Sequence, residues 1–212
     1  MDNDDVVLSA PLFATMEETE TRGLLASMSK VELARGDVLF SEGQPGDRLY
    51  VISEGKIKLG RSSSDGRENL IAVLGPGEMF GELSLFDPGP RSLGASAVSD
   101  SVVYELGHDA LLRTLEENPG VAKHLLTALA RRLRRTNEAL ADLVFSDVPG
   151  RVAKALLDLS TRFGEQVDEG IRVAHDLTQE ELAQLVGASR ETVNKALADF
   201  AGRGWVRREG RA

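Results

Sequence analysis

Residues 119–147 carry a helical heptad pattern with a single polar exception, which dictates an elongated helix with one sticky stripe. Leu126, Leu129, Leu133, Thr136, Leu140 and Leu143 advance by three, four, three, four and three residues. That is the a/d spacing of one strand of a helix–helix seam, and it predicts a dimer helix. About three heptads are too short to hold two free chains together, so folded domains at the ends have to add contacts or share the helix as a spine. One seam position breaks the rule: Thr136 is polar where leucine fits, and Asn137 follows it. Either this polar residue fixes the register at some cost in stability, or something polar binds against the helix there.

Residues 31–106 have a different texture. Val38-Leu39-Phe40, Leu49-Tyr50-Val51-Ile52, Lys56-Ile57-Lys58-Leu59 and Leu70-Ile71-Ala72-Val73-Leu74 are separated by Gly43, Pro45-Gly46, Gly55, Asp65-Gly66 and Gly75-Pro76-Gly77. Short strands with glycine punctuation at this interval predict an antiparallel barrel or jelly roll. Asp65-Gly66 reads as a hairpin turn, and no long helix fits anywhere inside. Ahead of this region, Leu8, Leu12, Phe13 and Met16 suit short helices packed against the strands.

The strand pattern is interrupted at Phe80-Gly81-Glu82-Leu83-Ser84-Leu85-Phe86-Asp87-Pro88-Gly89-Pro90-Arg91-Ser92. A glycine permits close backbone approach, an acid opens a short helical turn, and an arginine follows nine residues later beyond a Pro/Gly loop. Such a stretch can hold a ribose phosphate: backbone N–H groups and a guanidinium take the phosphate, and the carboxylate accepts from a sugar hydroxyl. The alternative is that Glu82 and Arg91 pair with each other across the loop.

Toward the C-terminus, Asp147 can cap a helix whose first turn holds Pro149 and whose core residues are Val152, Leu156, Leu159 and Phe163, ending at Gly164. Residues 144–147 then form a hinge. Thr178-Gln179-Glu180-Glu181 is a capping-box pattern opening a short helix through Leu182 and Leu185. Gly187 makes a turn, and Ser189 caps a second helix with Val193, Leu197 and Phe200 inward, which completes a helix-turn-helix. Its outer face offers Ser189, Arg190, Glu191, Asn194 and Lys195 to a major groove: Arg190 and Lys195 can donate to guanine, and Glu191 can accept from cytosine. Thr178 and Gln179 are placed to bond backbone phosphates. Glu191 and Lys195 also have the spacing of a plain i,i+4 surface pair. The acid of the chain lies mostly in residues 1–145, with fifteen Lys and Arg against twenty-three Asp and Glu; residues 146–212 hold ten against eleven, so overall charge decides nothing about nucleic acid.

With no cysteine, disulfides, thiolate catalysis and cysteine-held iron–sulfur clusters are excluded. His108, His124 and His175 are too scattered for a metal site, and no metal is expected. No eighteen-residue apolar run occurs and the first residues are acidic, so no membrane span or signal peptide is expected and the location is read as cytoplasmic.

Gly81-Glu82-Leu83-Ser84 followed by Pro90-Arg91-Ser92 resembles the phosphate-binding cassette of cyclic-nucleotide-binding domains. The order of β domain, long helix and C-terminal DNA-binding domain resembles the cyclic AMP receptor protein and fumarate–nitrate regulator family, and Asp147-Val148-Pro149-Gly150-Arg151-Val152 with Gly187-Ala188-Ser189-Arg190-Glu191-Thr192-Val193-Asn194-Lys195 looks closest to its actinobacterial members. The resemblance implies an α+β chain: an N-terminal antiparallel, jelly-roll-like β-roll over 1–118, a coiled-coil dimerisation helix and hinge over 119–146, and a winged helix-turn-helix over 147–212, its wing cut short at Arg211-Ala212. It implies cyclic AMP as allosteric ligand, with Gly81 and Glu82 on the ribose, Arg91 and Ser92 on the phosphate, and Leu83 and Ser84 as backbone donors. Thr136 and Asn137 would reach the adenine, one from each subunit, and Arg132 would lie near the ligand; Arg131, Arg134 and Arg135 read as a solvated flank. Asn137 stands where the best-known member has serine, and Lys195 where members usually have arginine. Double-stranded DNA, a second copy of the chain and RNA polymerase are the implied partners. The chain then reads as a transcription regulator and not an enzyme. The rivals are a haem or other effector sensor on the same scaffold, and a regulator that binds DNA without nucleotide.

Overall fold

The computed structural model describes residues 3–13, 15–62 and 68–209; the Asp65-Gly66 turn and the Arg211-Ala212 end lie outside them. Two short helices, α1 (Asn3–Leu8) and α2 (Glu18–Ala26), precede eight strands: β1 (Ser29–Leu33), β2 (Val38–Phe40), β3 (Arg48–Glu54), β4 (Ile57–Ser62), β5 (Glu68–Leu74), β6 (Met79–Phe80), β7 (Gly94–Ala97) and β8 (Ser101–Gly107). They form two four-stranded antiparallel sheets in the orders β1-β8-β3-β6 and β2-β7-β4-β5. The expected jelly-roll-like sandwich is therefore present. Between the sheets lie Phe40, Tyr50, Ile52, Ile57, Leu59, Phe80, Ala95, Ala97 and Val103, with the rings of Phe40, Tyr50 and Phe80 mutually 5.3–6.0 Å apart.

β3 is apolar on both faces because it is covered twice. Tyr50 and Ile52 point between the sheets, whereas Leu49 and Val51 pack outward with Val7, Leu12, Phe13, Leu106, Leu111, Val121 and Leu125. That outer layer includes α4 (His108–Glu117) and the start of α5 (Pro119–Phe145), a 27-residue helix with proline in its first turn. Only Val121 and Leu125 of α5 are buried. Beyond them Leu126, Leu133, Leu140 and Leu143 stand 66, 62, 61 and 53% exposed within one chain. The heptad stripe thus faces away from the chain's own core.

After a two-residue break, α6 (Val148–Phe163) begins with Asp147 accepting from the Gly150 amide at 2.9 Å. Gly164, expected to end this helix, opens a polar hairpin of β9 (Gly164–Val167) and β10 (Gly170–Val173). The helix-turn-helix comes next as α7 (Gln179–Leu185) and α8 (Arg190–Gly202), with Gly187 at φ +63° in the turn, a backbone suited to glycine. Among the described residues no strand comes after α8. Leu159, Leu182, Val186, Val193, Leu197 and Phe200 make the C-terminal core, and Leu70, Val73 and Val98 of the β domain join it, so this domain is docked on the second sheet.

Candidate functional site

The short helix α3 (Leu83–Phe86) sits between β6 and β7, and the residues around it converge on one buried spot. Gly81 has φ +82°, and a Cβ there would lie 2.9 Å from Arg91 Nη1 and 3.0 Å from the Arg48 carbonyl. No side chain fits. Glu82 is fully buried, and Arg91 is 5% exposed. The backbone of Arg91 is clamped on both sides: its N–H donates to Gln44 O and its carbonyl accepts from Gly43 N, each at 2.8 Å. Its guanidinium donates to the carbonyls of Gly81 (2.6 Å) and Arg48 (2.8 Å) and lies 4.3 Å from the centre of the Phe40 ring. Burial raises the pKa of the neighbouring Tyr50 phenol, with Arg91 opposing, so that hydroxyl stays protonated.

Glu82 does not pair with Arg91. Its Oε1 accepts from Arg132 Nη1 of α5 at 2.7 Å, and Arg132 also donates to the Met79 carbonyl. Arg132 is therefore the link between the cassette and the long helix, while Arg131, Arg134 and Arg135 are exposed, Arg135 lying 3.6 Å from Glu78. One turn further on, Thr136 and Asn137 are exposed, and Thr136 Oγ1 donates to the Arg132 carbonyl at 3.1 Å. Ser84 is buried; Leu83 and Ser92 are at the surface.

Among the described residues three buried side-chain atoms lack a hydrogen-bond partner: Glu82 Oε2, Arg91 Nε and Asn194 Oδ1. Leaving such a group unsatisfied costs about 1–3 kcal/mol, so each marks a place where a partner belongs. Two of them lie in the cassette. An acceptor-only oxygen and a cationic N–H, both buried within one short cassette, suit a ligand carrying both hydroxyl and anionic groups.

The third lies on α8. There Arg190, Glu191 and Lys195 are exposed, with Asn194 half-buried beside them. Among the described residues no ion pair joins Glu191 to Lys195, so the i,i+4 pair is not what occupies them. Ser189 Oγ accepts from Thr192 N at 3.2 Å and caps the helix. The capping box of α7 is complete: Glu181 N donates to Thr178 Oγ1 at 3.1 Å, and Thr178 N donates to Glu181 Oε2 at 2.8 Å. Thr178 is exposed and Gln179 half-buried at the same helix end. Burial pushes the Glu181 carboxyl up, but Lys58 and the Thr178 amide outweigh it, and the group titrates below its usual value.

Two participants escape sequence reasoning. Gly46 presses on the cassette, since a Cβ there would meet Ser84 Oγ at 2.5 Å and Arg91 Nε at 2.8 Å; the only local signal is a Gly-Gln-Pro-Gly turn. Arg151 donates to Ser146 O and Val186 O, each at 2.8 Å, tying the hinge to the helix-turn-helix corner. No spacing rule announces a bond between residues 35 positions apart.

Family models for the cyclic nucleotide-binding domain and the Crp-like helix-turn-helix domain match residues 30–118 and 150–212. The chain belongs to the CRP family of transcription regulators. A CRP-like cAMP-activated global transcriptional regulator of Mycobacterium tuberculosis is 54% identical over 209 residues, covering 99% of this chain and 93% of that one. The solved catabolite activator protein of Thermus thermophilus is 36% identical, with 95% and 91% of the two chains covered and a TM-score of 0.58. The c-di-GMP-responsive regulator CLP of Xanthomonas campestris is 25% identical, covering 92% and 97%, with a TM-score of 0.75. As a CRP-family chain this is a DNA-binding regulator and not an enzyme. Among the described residues no helix is long and apolar enough to cross a membrane.

Proposed function

We propose that the chain is a cyclic-AMP-responsive regulator that reads near-palindromic DNA as a homodimer in the cytoplasm. The observation that carries the ligand is the buried pair of unsatisfied atoms, Glu82 Oε2 and Arg91 Nε, in one cassette. Glu82 with Gly81 holds the ribose, Arg91 with Ser92 holds the cyclic phosphate, and Leu83 and Ser84 supply backbone donors. Thr136, on the exposed stripe of α5, and Asn137 beside it face the purine from the two subunits. The name of the mycobacterial relative supports cyclic AMP; CLP, with its different nucleotide, is the reason to test others. Calorimetry against cyclic AMP, cyclic GMP and c-di-GMP decides: a strong preference for cyclic AMP is expected, and no heat with any of them refutes the ligand. RNA polymerase is the proposed partner at promoters.

Ser189, Arg190, Glu191, Asn194 and Lys195 enter the major groove, and Thr178 and Gln179 bond phosphates. Selection from randomised DNA is expected to return two half-sites about one helical turn apart. In that site Arg190→Ala costs roughly 1–3 kcal/mol and relaxes one guanine in each half, whereas loss of a phosphate donor weakens all sequences alike. A single unpaired half-site from the selection contradicts dimeric docking.

A further inference from the structure

Ion pairs and apolar contacts join the β domain to the C-terminal domain. Lys56, just before β4, and Lys58, two residues on within it, reach Asp176 Oδ2 at 2.5 Å and Glu181 Oε1 at 2.7 Å. These are not surface pairs: the side chains are 14 and 34% exposed in the first, 23 and 15% in the second. Arg162 of α6 reaches Glu78 Oε2 at 2.5 Å. Beneath the charges, Leu70, Val73 and Val98 pack with Leu177, Leu182 and Val186. The Phe163 ring stands so close to Gly75 that a Cβ there would meet its Cε1 at 2.4 Å. Asp176, a non-glycine residue at φ 60°, also accepts from Arg35 Nη2 through its carbonyl at 3.0 Å. A strained backbone held by bonds to another domain points to a position that the joint requires.

Docked in this way, the C-terminal domain keeps Thr178, Ser189, Arg190, Glu191 and Lys195 exposed. Docking and DNA reading are therefore compatible. The chain crosses between the domains through Ser146 and Asp147 alone, outside both helices, and a two-residue link does not by itself aim a domain. Glu181 works on both sides: Oε2 closes the cap on Thr178 N, and Oε1 holds Lys58. Lys58 thus fixes the helix turn that presents Thr178 and Gln179.

We propose that the β4–β5 face is a docking platform that aims the helix-turn-helix at DNA, with Lys56–Asp176 and Lys58–Glu181 as its positioning pairs. This rests on the reading of Thr178 and α8 as the DNA-contacting surface. The test uses the full chain loaded with cyclic AMP and a double-mutant cycle of Lys58→Met and Glu181→Gln, glutamine being able to keep the cap. Each single change is expected to weaken binding to the selected palindrome about fivefold, and the double change no further. Nucleotide affinity stays at the parent value, and amide exchange at residues 70–74 and 176–183 speeds up. Electrostatics alone makes the opposite forecast for Glu181→Gln, because removing a negative charge near phosphates tightens binding. Unchanged or tighter DNA binding by either variant overturns the proposal. If the parent itself binds no DNA, the DNA reading falls, and the exchange data decide the docking: unaltered exchange overturns it, accelerated exchange supports it.

Discussion

Arg91→Leu is expected to lower cyclic AMP affinity at least a hundredfold. The guanidinium is lodged among Gly81, Phe40 and Tyr50, and its buried Nε has no hydrogen-bond partner. Hydrogen bonds to charged groups contribute about 1.5–3 kcal/mol each, so losing two of them to a phosphate exceeds the 2.7 kcal/mol or so that a hundredfold represents. The substitution also strips the donors from the Gly81 and Arg48 carbonyls, so thermal stability drops as well. Arg91→Lys separates the two effects: it keeps the charge, loses the fork, and should retain a fraction of the binding. Calorimetry on both variants, with circular dichroism to monitor folding, reads this directly. Parent-like affinity in Arg91→Leu would remove the cassette from the account.

The second large effect is expected from Leu133→Glu with Leu140→Glu. Both leucines are more than 60% exposed in one chain and lie on the same heptad stripe. Fully burying a leucine contributes about 1.5–3 kcal/mol, and each dimer has four of these, so the paired state loses on the order of 6–12 kcal/mol before charge repulsion is counted. Val121 and Leu125, which anchor α5 to its own β domain, are untouched. The variant should therefore fold and sediment as a monomer at micromolar concentration. Its DNA affinity should collapse as well, because two half-site contacts no longer share one body. A variant that still sediments as a dimer would show that the subunits meet elsewhere.

Much of the architecture is legible in the sequence because it obeys local rules. The heptad stripe reads α5 from its first proline almost to Phe145, Val38-Leu39-Phe40 is β2 residue for residue, and three caps at Asp147, Thr178 and Ser189 lie where side chain and spacing put them. Within the cassette Arg91 donates to the Gly81 carbonyl, and both Arg91 and Glu82 are buried. What escapes is choice of partner. Glu82 has a cation at hand in Arg91 nine residues away, yet it takes Arg132 fifty residues on, because the Arg91 guanidinium is already held by the carbonyls of Gly81 and Arg48 and Arg132 of α5 reaches β6 at the Met79 carbonyl. The β9–β10 hairpin is almost wholly exposed, so it lacks the alternation by which strands are recognised. The docking platform is equally silent: Lys56 and Lys58, just before and just within the start of β4, look like solvent-facing residues until another domain covers them.

The central claim is that a nucleotide held at Glu82 and Arg91 controls what α8 does some distance away. A ligand shifts a conformational equilibrium only by its differential affinity for the two states, so the claim has a thermodynamic signature. The measurement is a titration of fluorescent palindromic DNA with the full chain, with and without saturating cyclic AMP, at fixed salt. Affinity is predicted to rise at least tenfold with the nucleotide, within the range typical of allosteric coupling. Equal affinity in both titrations, with cyclic AMP shown by calorimetry to be bound, would contradict it.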